Sequence, residues 1–268
     1  GLMLLGIAVV LLAMLCTTTG SSGDADYNFR VCVRDCSDIS QRESNAYYEK
    51  YLINVMQWDQ VSECEYRCMR GISDGREESG YPVLKYFGHW PYHRIFGLQE
   101  PASSLFSLCN AFPHMYHLTF NHHRLSDLFR PLIVAYGMMA IVAWSCSTVF
   151  HARKVSITIF MDYAAALMFL TLGLCVALRR TLHFSVFRSR PLLPPLLFAG
   201  MAWTCLSRVH DMLQGRVAFG DHMTFSIGVA VAHTTGWILW LLASGLEPKS
   251  HKLYCLFLQV WFIVASML

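Results

Sequence analysis

Residues 131–150 read PLIVAYGMMAIVAWSCSTVF and contain no charged side chain. At about 1.5 Å of rise per residue, a helix of this length crosses the hydrocarbon layer of a bilayer. A second run, 155–178, has the same character and is interrupted only by Asp162. The short polar stretch between the two runs, His151–Lys154, predicts a tight turn that joins two antiparallel membrane helices.

Three polar side chains of these segments can converge near the turn. Ser147 and His151 are four residues apart and share a helix face, and Ser147 and Asp162 both lie about 10 Å from the turn by helical rise. Ionisable groups are rare inside membrane segments unless they bind a ligand, conduct an ion or act in catalysis. An imidazole and a carboxylate are what a zinc ion and its activated water require. The alternative is a structural Ser–His–Asp cluster that ties two helices together.

The composition is that of a membrane protein. Hydrophobic residues make up 54% of the chain, charged residues 15%, and the mean hydropathy is +0.38. The formal net charge of +3 is small and does not indicate a nucleic-acid partner. We predict an all-α multi-pass membrane protein. Four further spans bring the predicted total to six, at about 101–119, 191–207, 223–246 and 253–268.

The N-terminal sequence predicts a secretory signal peptide without its basic leader. The apolar run LMLLGIAVVLLAMLC at 2–16 is followed by the small, polar TTTGSSG, with cleavage expected near Gly20 or Gly23. An uncleaved anchor is the alternative, but the apolar run is short for one. We assign a signal peptide, a luminal cysteine-containing domain and a transmembrane helical bundle to residues 1–23, 24–100 and 101–268.

Four cysteines of the predicted luminal domain form two C-x3-C pairs, Cys32 with Cys36 and Cys64 with Cys68. On two antiparallel helices, Cys32 would face Cys68 and Cys36 would face Cys64. Two disulfides are expected in an oxidising lumen, although four cysteines permit three connectivities. A four-cysteine zinc site is the alternative. Cysteines in the predicted spans are expected to be small buried apolar residues.

Basic residues in the loops set the predicted orientation. If the N-terminal domain is luminal, the loop with Arg179, Arg180, Arg188 and Arg190 is cytosolic, as the positive-inside rule requires. The turn His151–Lys154 is then luminal. The polar trio therefore opens toward the lumen.

The stretch 85–110 leads into the first predicted span. Its aromatic residues Trp90, Tyr92 and Phe96 suit the interface between membrane and water, and Pro101 suits the first position of a helix. Physical chemistry alone predicts an interfacial anchor here.

Three motifs carry a family resemblance: KYFGHWPYHR at 85–94, QEPAS at 99–103 and WSCSTVFH at 144–151. Together with the paired cysteines, they resemble the post-GPI-attachment-to-proteins factor 3 (Per-like) family. That family belongs to the CREST group of seven-helix membrane hydrolases, with the alkaline ceramidases and the progestin/adiponectin-receptor-like proteins. The resemblance implies a seven-helix bundle, of which this chain would supply six spans.

The resemblance also implies a Zn2+ site and assigns roles to the trio. His151 would be a zinc ligand, Asp162 would hold or deprotonate the zinc-bound water, and Ser147 would hydrogen-bond the water or the developing oxyanion. The family's other two ligands come from an H-x3-H on the last helix, and no such motif follows His151 here. We therefore expect two further histidines beyond Leu268, and no activity without them. Lys154 stands where the family usually has an acidic residue.

The activity that the resemblance implies is remodelling of glycosylphosphatidylinositol (GPI) anchors. A phospholipase A2-type ester hydrolysis would remove the sn-2 fatty acid, with GPI-anchored proteins and membrane lipids as partners. The expected location is the Golgi membrane, with the endoplasmic reticulum as the alternative. A seven-helix lipid receptor or sensor and a ceramidase-like amidohydrolase are the alternative functions. The luminal domain favours a protein-linked substrate over ceramide.

Overall fold

The computed structural model describes residues 22–40, 56, 58–87, 89–121, 123, 128–182 and 186–243. These residues form seven α-helices and no β-strand, which confirms the predicted all-α membrane fold. The predicted signal-peptide core and the span at 253–268 lie outside the described residues. The helices are α1 Tyr27–Ser40, α2 Gln60–Glu78, α3 Pro101–Tyr116, α4 Arg130–Ala152, α5 Ser156–Leu182, α6 Leu193–Leu213 and α7 Phe219–Ala243.

Three described helices are long and apolar enough to cross a membrane: α4, α5 and residues Phe219–Leu241 of α7. Two other predicted spans are helical, but one is too short and the other not apolar enough to count among these three. α3 has 16 residues before it continues as the π-helical turn His117–Asn121. α6 has 21 residues, but its two prolines and the polar end around Arg208 lower its mean hydropathy.

The chain divides into two compact units. The first, here called the disulfide unit, comprises the described residues of Thr18–Ser104 together with His151–Arg153. The second, the bundle unit, comprises the described residues of Leu105–Phe150 and Lys154–Leu268. α4 thus belongs to the bundle unit along most of its length, and its last turn belongs to the disulfide unit.

Two disulfides join α1 to α2 in the disulfide unit. They link Cys32 to Cys68 and Cys36 to Cys64, which confirms the predicted pairing and excludes the four-cysteine zinc site. Each C-x3-C pair presents both sulfurs on one helix face because its members are four residues apart. Phe29 and Tyr86 pack beside Cys68 in the core of this unit.

Gly23 is part of the disulfide unit. Its amide donates a hydrogen bond of 2.8 Å to the carbonyl of Lys85. A Cβ at Gly23 would lie 2.7 Å from that carbonyl oxygen and from the ring of Tyr86, so only glycine fits. Cleavage near Gly20 would leave the hydrogen bond between Gly23 and Lys85 intact, whereas cleavage after Gly23 would remove it.

α5 is the central helix of the bundle unit and packs against both α6 and α7. Gly173 of α5 allows α5 and α7 to approach each other closely, because a Cβ at this position would lie 2.5 Å from Nε2 of His233 on α7. His233 is 1% exposed and accepts a hydrogen bond of 3.2 Å from Trp237. α4 packs on α5 through small residues, with Ala140, Ala143 and Cys146 against Ala165 and Phe169.

The cysteines of the bundle unit follow the sequence expectation with one exception. Cys146, Cys175 and Cys205 are buried, whereas Cys109 on α3 is exposed. Cys109 shares its helix with the exposed apolar side chains Phe106 and Phe112. The expectation of burial was therefore wrong for Cys109, because that side of α3 has no protein partner among the described residues.

Candidate functional site

The predicted zinc ligand His151 lies in the last turn of α4 and pairs with a carboxylate. Its Nδ1 is 2.6 Å from Oε2 of Glu100. The side chain of Glu100 is 9% exposed and that of His151 is 25% exposed. A carboxylate with so little exposure requires a hydrogen-bond donor, and the imidazole N–H supplies it. Glu100 is therefore the hydrogen-bond partner of His151 in this fold.

The backbone beside this pair fixes the end of α4. The amide of Glu100 donates to the carbonyl of His151, and the amide of Gln99 donates to that of Ala152, each at 2.9 Å. The last carbonyls of a helix have no partner within it, so these two amides cap α4. Pro101 then begins α3, where the missing N–H of proline is tolerated. The sequence Gln-Glu-Pro thus caps one helix, holds the imidazole and starts the next helix.

A stack of aromatic and guanidinium groups holds Arg153, the residue after α4. The guanidinium carbons of Arg94 and Arg153 lie 3.3 and 3.7 Å from the ring centre of Trp58. Two guanidinium groups at these distances would overlap on one face, so they occupy opposite faces of the indole. The ring of Tyr66 lies 3.7 Å from the guanidinium carbon of Arg94. The order of the stack is therefore Arg153, Trp58, Arg94, Tyr66.

The charge of Arg94 is balanced within the disulfide unit. Its Nη1 lies 2.7 Å from Oε2 of Glu63, and its side chain is only 9% exposed. Burial lowers the pKa of Arg94 to about 10, and the Glu63 carboxylate opposes this effect. Arg153 in turn donates to the hydroxyl of Ser62 at 3.2 Å. Arg94, the last residue of the KYFGHWPYHR motif, thus helps to hold the segment that ends α4.

The pairing with Glu100 defines the tautomer of neutral His151. Because a carboxylate oxygen faces Nδ1, that nitrogen carries the proton and donates. The lone pair then belongs to Nε2. Histidines that bind metals usually have this arrangement, with the second ring nitrogen hydrogen-bonded to a carboxylate or a carbonyl. His151 therefore has the form of a metal ligand.

Ser147 lies one turn before His151 on α4 and contacts α3. The hydroxyl of Ser107 donates a hydrogen bond of 3.1 Å to the hydroxyl of Ser147. Ser107 is 5% exposed. A hydroxyl that accepts a hydrogen bond keeps its own proton for donation. Ser107 therefore leaves the Ser147 hydroxyl able to donate to another group.

Asp162 lies in the second turn of α5 and is half-buried. Its carboxylate is within electrostatic range of the thiol of Cys146, the residue before Ser147. The bundle unit thus places Asp162 and Cys146 on two helices that pack together. The contacts of His151 belong to the disulfide unit, so the convergence of Ser147, His151 and Asp162 stays a prediction.

Sequence patterns did not assign Glu100 or Ser107 a role. Glu100 stands in the stretch 85–110, where only the aromatic residues and Pro101 had a physical interpretation. The sequence offered one signal for a role of Glu100. It is an acidic residue directly before Pro101, the proline that starts a helix where the chain is predicted to enter the membrane. No pattern indicated Ser107, because its contact depends on how α3 packs on α4.

The described residues do not complete a metal site. Among them, no group of three or more histidine, cysteine, aspartate or glutamate side chains could hold a metal ion. The four cysteines of the disulfide unit are used in disulfides. His151 with its carboxylate partner fits one ligand of a zinc site.

Comparison with known proteins establishes the family. A sequence model of the Per1-like family matches residues 51–268. The chain belongs to the Per1-like family. A fruit-fly relative named post-GPI attachment to proteins factor 3 is 27% identical over 87% of this chain and 74% of its own. A mouse relative and a bovine relative are both named GPI-specific phospholipase A2-like PGAP3. They are 29% and 28% identical, over 93% and 91% of this chain and 78% and 77% of their own.

No solved structure matches this chain. The family membership agrees with the resemblance that the three motifs carry. Both Gln99-Glu100-Pro101 and the segment that ends in His151 lie within the matched residues. The pairing of Glu100 with His151 therefore joins two motifs that are 51 residues apart in the sequence.

Proposed function

We propose that this protein remodels GPI anchors by hydrolysing the ester of the sn-2 fatty acid. The observation that carries the proposal is the pairing of His151 with the buried carboxylate of Glu100 in a member of the Per1-like family. Relatives named GPI-specific phospholipase A2-like supply the reaction type and the substrate. Water attacks the ester carbonyl, and the products are a free fatty acid and a lyso-lipid that remains attached to the protein.

Each polar residue of the site has a defined part in this reaction. Nε2 of His151 would hold the metal, and Glu100 holds the imidazole in the tautomer that this requires. When bound, zinc acts as a Lewis acid that polarises a carbonyl and an attacking water. Asp162 accepts a proton from the water as general base. Ser147, oriented by Ser107, donates a hydrogen bond to the oxygen on which negative charge develops.

The proposal includes a complete zinc site with two further histidines. These are the two histidines of the H-x3-H that the family resemblance implies. The described residues give one ligand in a form suited to zinc, and that ligand supports the proposal. Metal analysis of the purified complete protein checks it, with one zinc per chain expected in the wild type and loss of zinc on His151→Ala.

The disulfides support a location in the secretory pathway. Two disulfides in one small unit are typical of proteins that fold in an oxidising compartment. We propose the Golgi membrane, with the endoplasmic reticulum as the alternative. GPI-anchored proteins pass through both compartments with their lipid on the luminal side. Immunolocalisation of the tagged protein against markers of the two compartments distinguishes them.

The test of function is the lipid composition of a GPI-anchored reporter. The reporter is isolated from cells that lack the endogenous remodelling activity, and mass spectrometry determines its sn-2 chain. Expression of the complete protein should remove the unsaturated sn-2 chain, and His151→Ala should abolish this. His210→Ala is the matched control, because His210 is exposed and outside the proposed site. Unchanged anchors with well-expressed wild-type protein would reject the proposed function.

A further inference from the structure

Trp58 is a buried side chain that contacts two segments of the candidate site. It lies two residues before α2 begins and is 3% exposed. Its indole N–H donates a hydrogen bond of 3.1 Å to the carbonyl of Gly97. The guanidinium carbon of Arg153 lies 3.7 Å from the centre of the same ring system. Trp58 thus contacts the segment that leads to Glu100 and the segment that follows His151.

The first of these segments is a tight turn. The amide of Leu98 donates a hydrogen bond of 3.0 Å to the carbonyl of Ile95. The two central residues, Phe96 and Gly97, have positive φ angles of 53° and 78°. Glycine adopts this conformation readily, whereas a residue with a side chain adopts it only at a cost. Phe96 is 84% exposed, so its side chain gains little from packing. The hydrogen bond from Trp58 to Gly97 therefore helps to hold the turn in this conformation.

The turn leads directly into the residues that hold the end of α4. The amide of Gln99 donates to the carbonyl of Ala152 at 2.9 Å. The amide of Glu100 donates to the carbonyl of His151, and the Glu100 carboxylate accepts from the imidazole. A single residue separates Gly97 from Gln99. A shift of the turn would therefore move all three hydrogen bonds.

The second segment is held by the ring of Trp58. Arg153 follows the last residue of α4, and its guanidinium group also donates a hydrogen bond of 3.2 Å to the hydroxyl of Ser62 on α2. A guanidinium group over an indole ring is attracted by the π electrons, and the attraction is stronger where water is excluded. Arg94, with its guanidinium carbon 3.3 Å from the ring centre, covers the other face. The two guanidinium groups therefore enclose the indole and fix its plane.

We propose that Trp58 is a positioning residue that sets Glu100 against His151. Its N–H holds the turn before Glu100, and its ring holds the residue that ends the segment of His151. One rigid side chain therefore determines the separation of the two segments. Because α2 is joined to α1 by two disulfides, Trp58 also connects the disulfide-bonded helices to the imidazole. The effect of Trp58 on structure is independent of the proposed function, whereas its effect on metal binding rests on that function.

A buried tryptophan can also contribute only to the stability of the unit that contains it. The two roles differ in what a substitution changes. If Trp58 positions the pair, its loss loosens the hydrogen bonds of Gln99 and Glu100 while the unit stays folded. If Trp58 only adds buried surface, its loss lowers the melting temperature as any other core substitution does, with no separate effect on these bonds.

Hydrogen exchange of the complete protein in detergent micelles measures these bonds directly. Mass spectrometry with fragmentation that resolves single residues gives the exchange rates of the Gln99 and Glu100 amides. Trp58→Phe keeps an aromatic face for both arginines but removes the N–H. Both amides should then exchange about fivefold faster, the usual effect of losing one hydrogen bond. Trp58→Leu also removes the aromatic face and should speed the exchange further.

Phe29→Leu is the matched control for these variants. Phe29 is 3% exposed in the core of the same unit and packs on Tyr86, with ring centroids 4.9 Å apart. The substitution should lower the melting temperature, because it removes part of an aromatic contact from the core. It should leave the exchange rates of the Gln99 and Glu100 amides at wild-type values.

Arg153→Gln keeps the test decisive if Trp58→Leu does not fold. It removes the guanidinium group from the ring of Trp58 and should speed the exchange of both amides. Wild-type exchange rates in folded Trp58→Phe and folded Arg153→Gln would overturn the proposal. Equal acceleration by Phe29→Leu at the same loss of melting temperature would also overturn it, because Trp58 would then act only through stability.

Zinc binding provides a second measurement. The complete protein, stripped of metal, is titrated with Zn2+ in competition with a chelating dye. Trp58→Leu should weaken zinc binding by about 10- to 100-fold, the range for losing the support of a metal-bound histidine. Trp58→Phe should lose less, and Phe29→Leu should bind zinc as the wild type does.

Failure of the positioning role and failure of the proposed function give different results. If Trp58→Phe speeds the exchange of the two amides but the wild type does not remodel the GPI-anchored reporter, the positioning role stands and the hydrolysis is rejected. If the reporter is remodelled in a His151-dependent way while both Trp58 variants keep wild-type exchange and zinc affinity, the hydrolysis stands and the positioning role is rejected.

Discussion

Oε2 of Glu100 accepts a hydrogen bond of 2.6 Å from Nδ1 of His151, across 51 residues of sequence. The same two residues are also joined through their backbones, because the amide of Glu100 donates to the carbonyl of His151. A side-chain bond and a backbone bond between one pair of residues leave the imidazole little freedom to rotate. The fold therefore determines both the position and the tautomer of His151.

Glu100 should act as a positioning residue for His151. We expect Glu100→Ala to lower zinc affinity or kcat by about 10- to 100-fold, the range for a carboxylate that supports a metal-bound histidine. Glu100→Gln should lose less, because the amide oxygen still accepts from Nδ1. KM should change little, since Glu100 does not touch the substrate. Metal content of the purified protein and steady-state kinetics measure these effects.

Glu78→Gln is the control for this prediction, because Glu78 is exposed at the end of α2. It should retain the zinc content and the kcat of the wild type. If Glu100→Ala also keeps both at wild-type values, Glu100 has no positioning role.

The two disulfides should contribute most of the cohesion between α1 and α2. They close segments with sequence separations of 36 and 28, for which the chain-entropy model gives about 3–4 kcal/mol each. The Cys36–Cys64 bond lies within the loop closed by Cys32–Cys68, so the double removal should destabilise by less than the sum. Serine pairs at each bond and at both, unfolded with urea, give the free energies. An unchanged free energy for either pair would contradict the prediction.

The fold could be predicted from sequence where the signal is local and periodic. The spacing of Cys32, Cys36, Cys64 and Cys68 predicted the pairing on the assumption of two antiparallel helices, and the structure has that pairing. The uncharged run at 131–150 likewise predicted α4. Long-range partners were not predictable in this way. The pairs of Glu100 with His151 and of Ser107 with Ser147 depend on how helices pack, and sequence spacing does not encode that packing.

Asp59 should make the stability of α2 depend on pH. Its carboxylate caps the helix by accepting a hydrogen bond of 2.8 Å from the amide of Ser62. Hydrogen bonds from Ser62 lower the pKa of Asp59. An acid whose pKa is lower in the folded state stabilises the fold above its unfolded pKa of about 3.9. This contribution is lost as the pH falls through the lowered folded pKa.

Two variants separate the hydrogen bond of Asp59 from its charge. Asp59→Ala should destabilise α2 by about 1 kcal/mol at neutral pH, the usual effect of losing a helix cap. Asp59→Asn should keep the cap, since asparagine is a good N-cap residue, but should remove this acid-dependent contribution. Hydrogen exchange of peptides from Gln60–Glu78, measured between pH 7 and the acid range, reports both effects. Equal pH profiles for wild type and Asp59→Asn would show that Asp59 does not titrate with folding.

The three residues of the predicted site should respond differently to substitution in the complete protein. His151→Ala should abolish remodelling together with loss of zinc. Asp162→Asn should abolish it with zinc largely retained, because an amide cannot accept the proton of water. Ser147→Ala should keep zinc and lower kcat by about 10²–10³, the effect of losing one hydrogen bond to a developing oxyanion. Ser107→Ala should have a smaller effect in the same direction, since Ser107 acts through Ser147.

The GPI-anchored reporter and metal analysis measure all four variants. If His151→Ala, Asp162→Asn and Ser147→Ala remodel anchors normally at wild-type expression, the trio is a structural cluster. The hydrolysis would then require other residues.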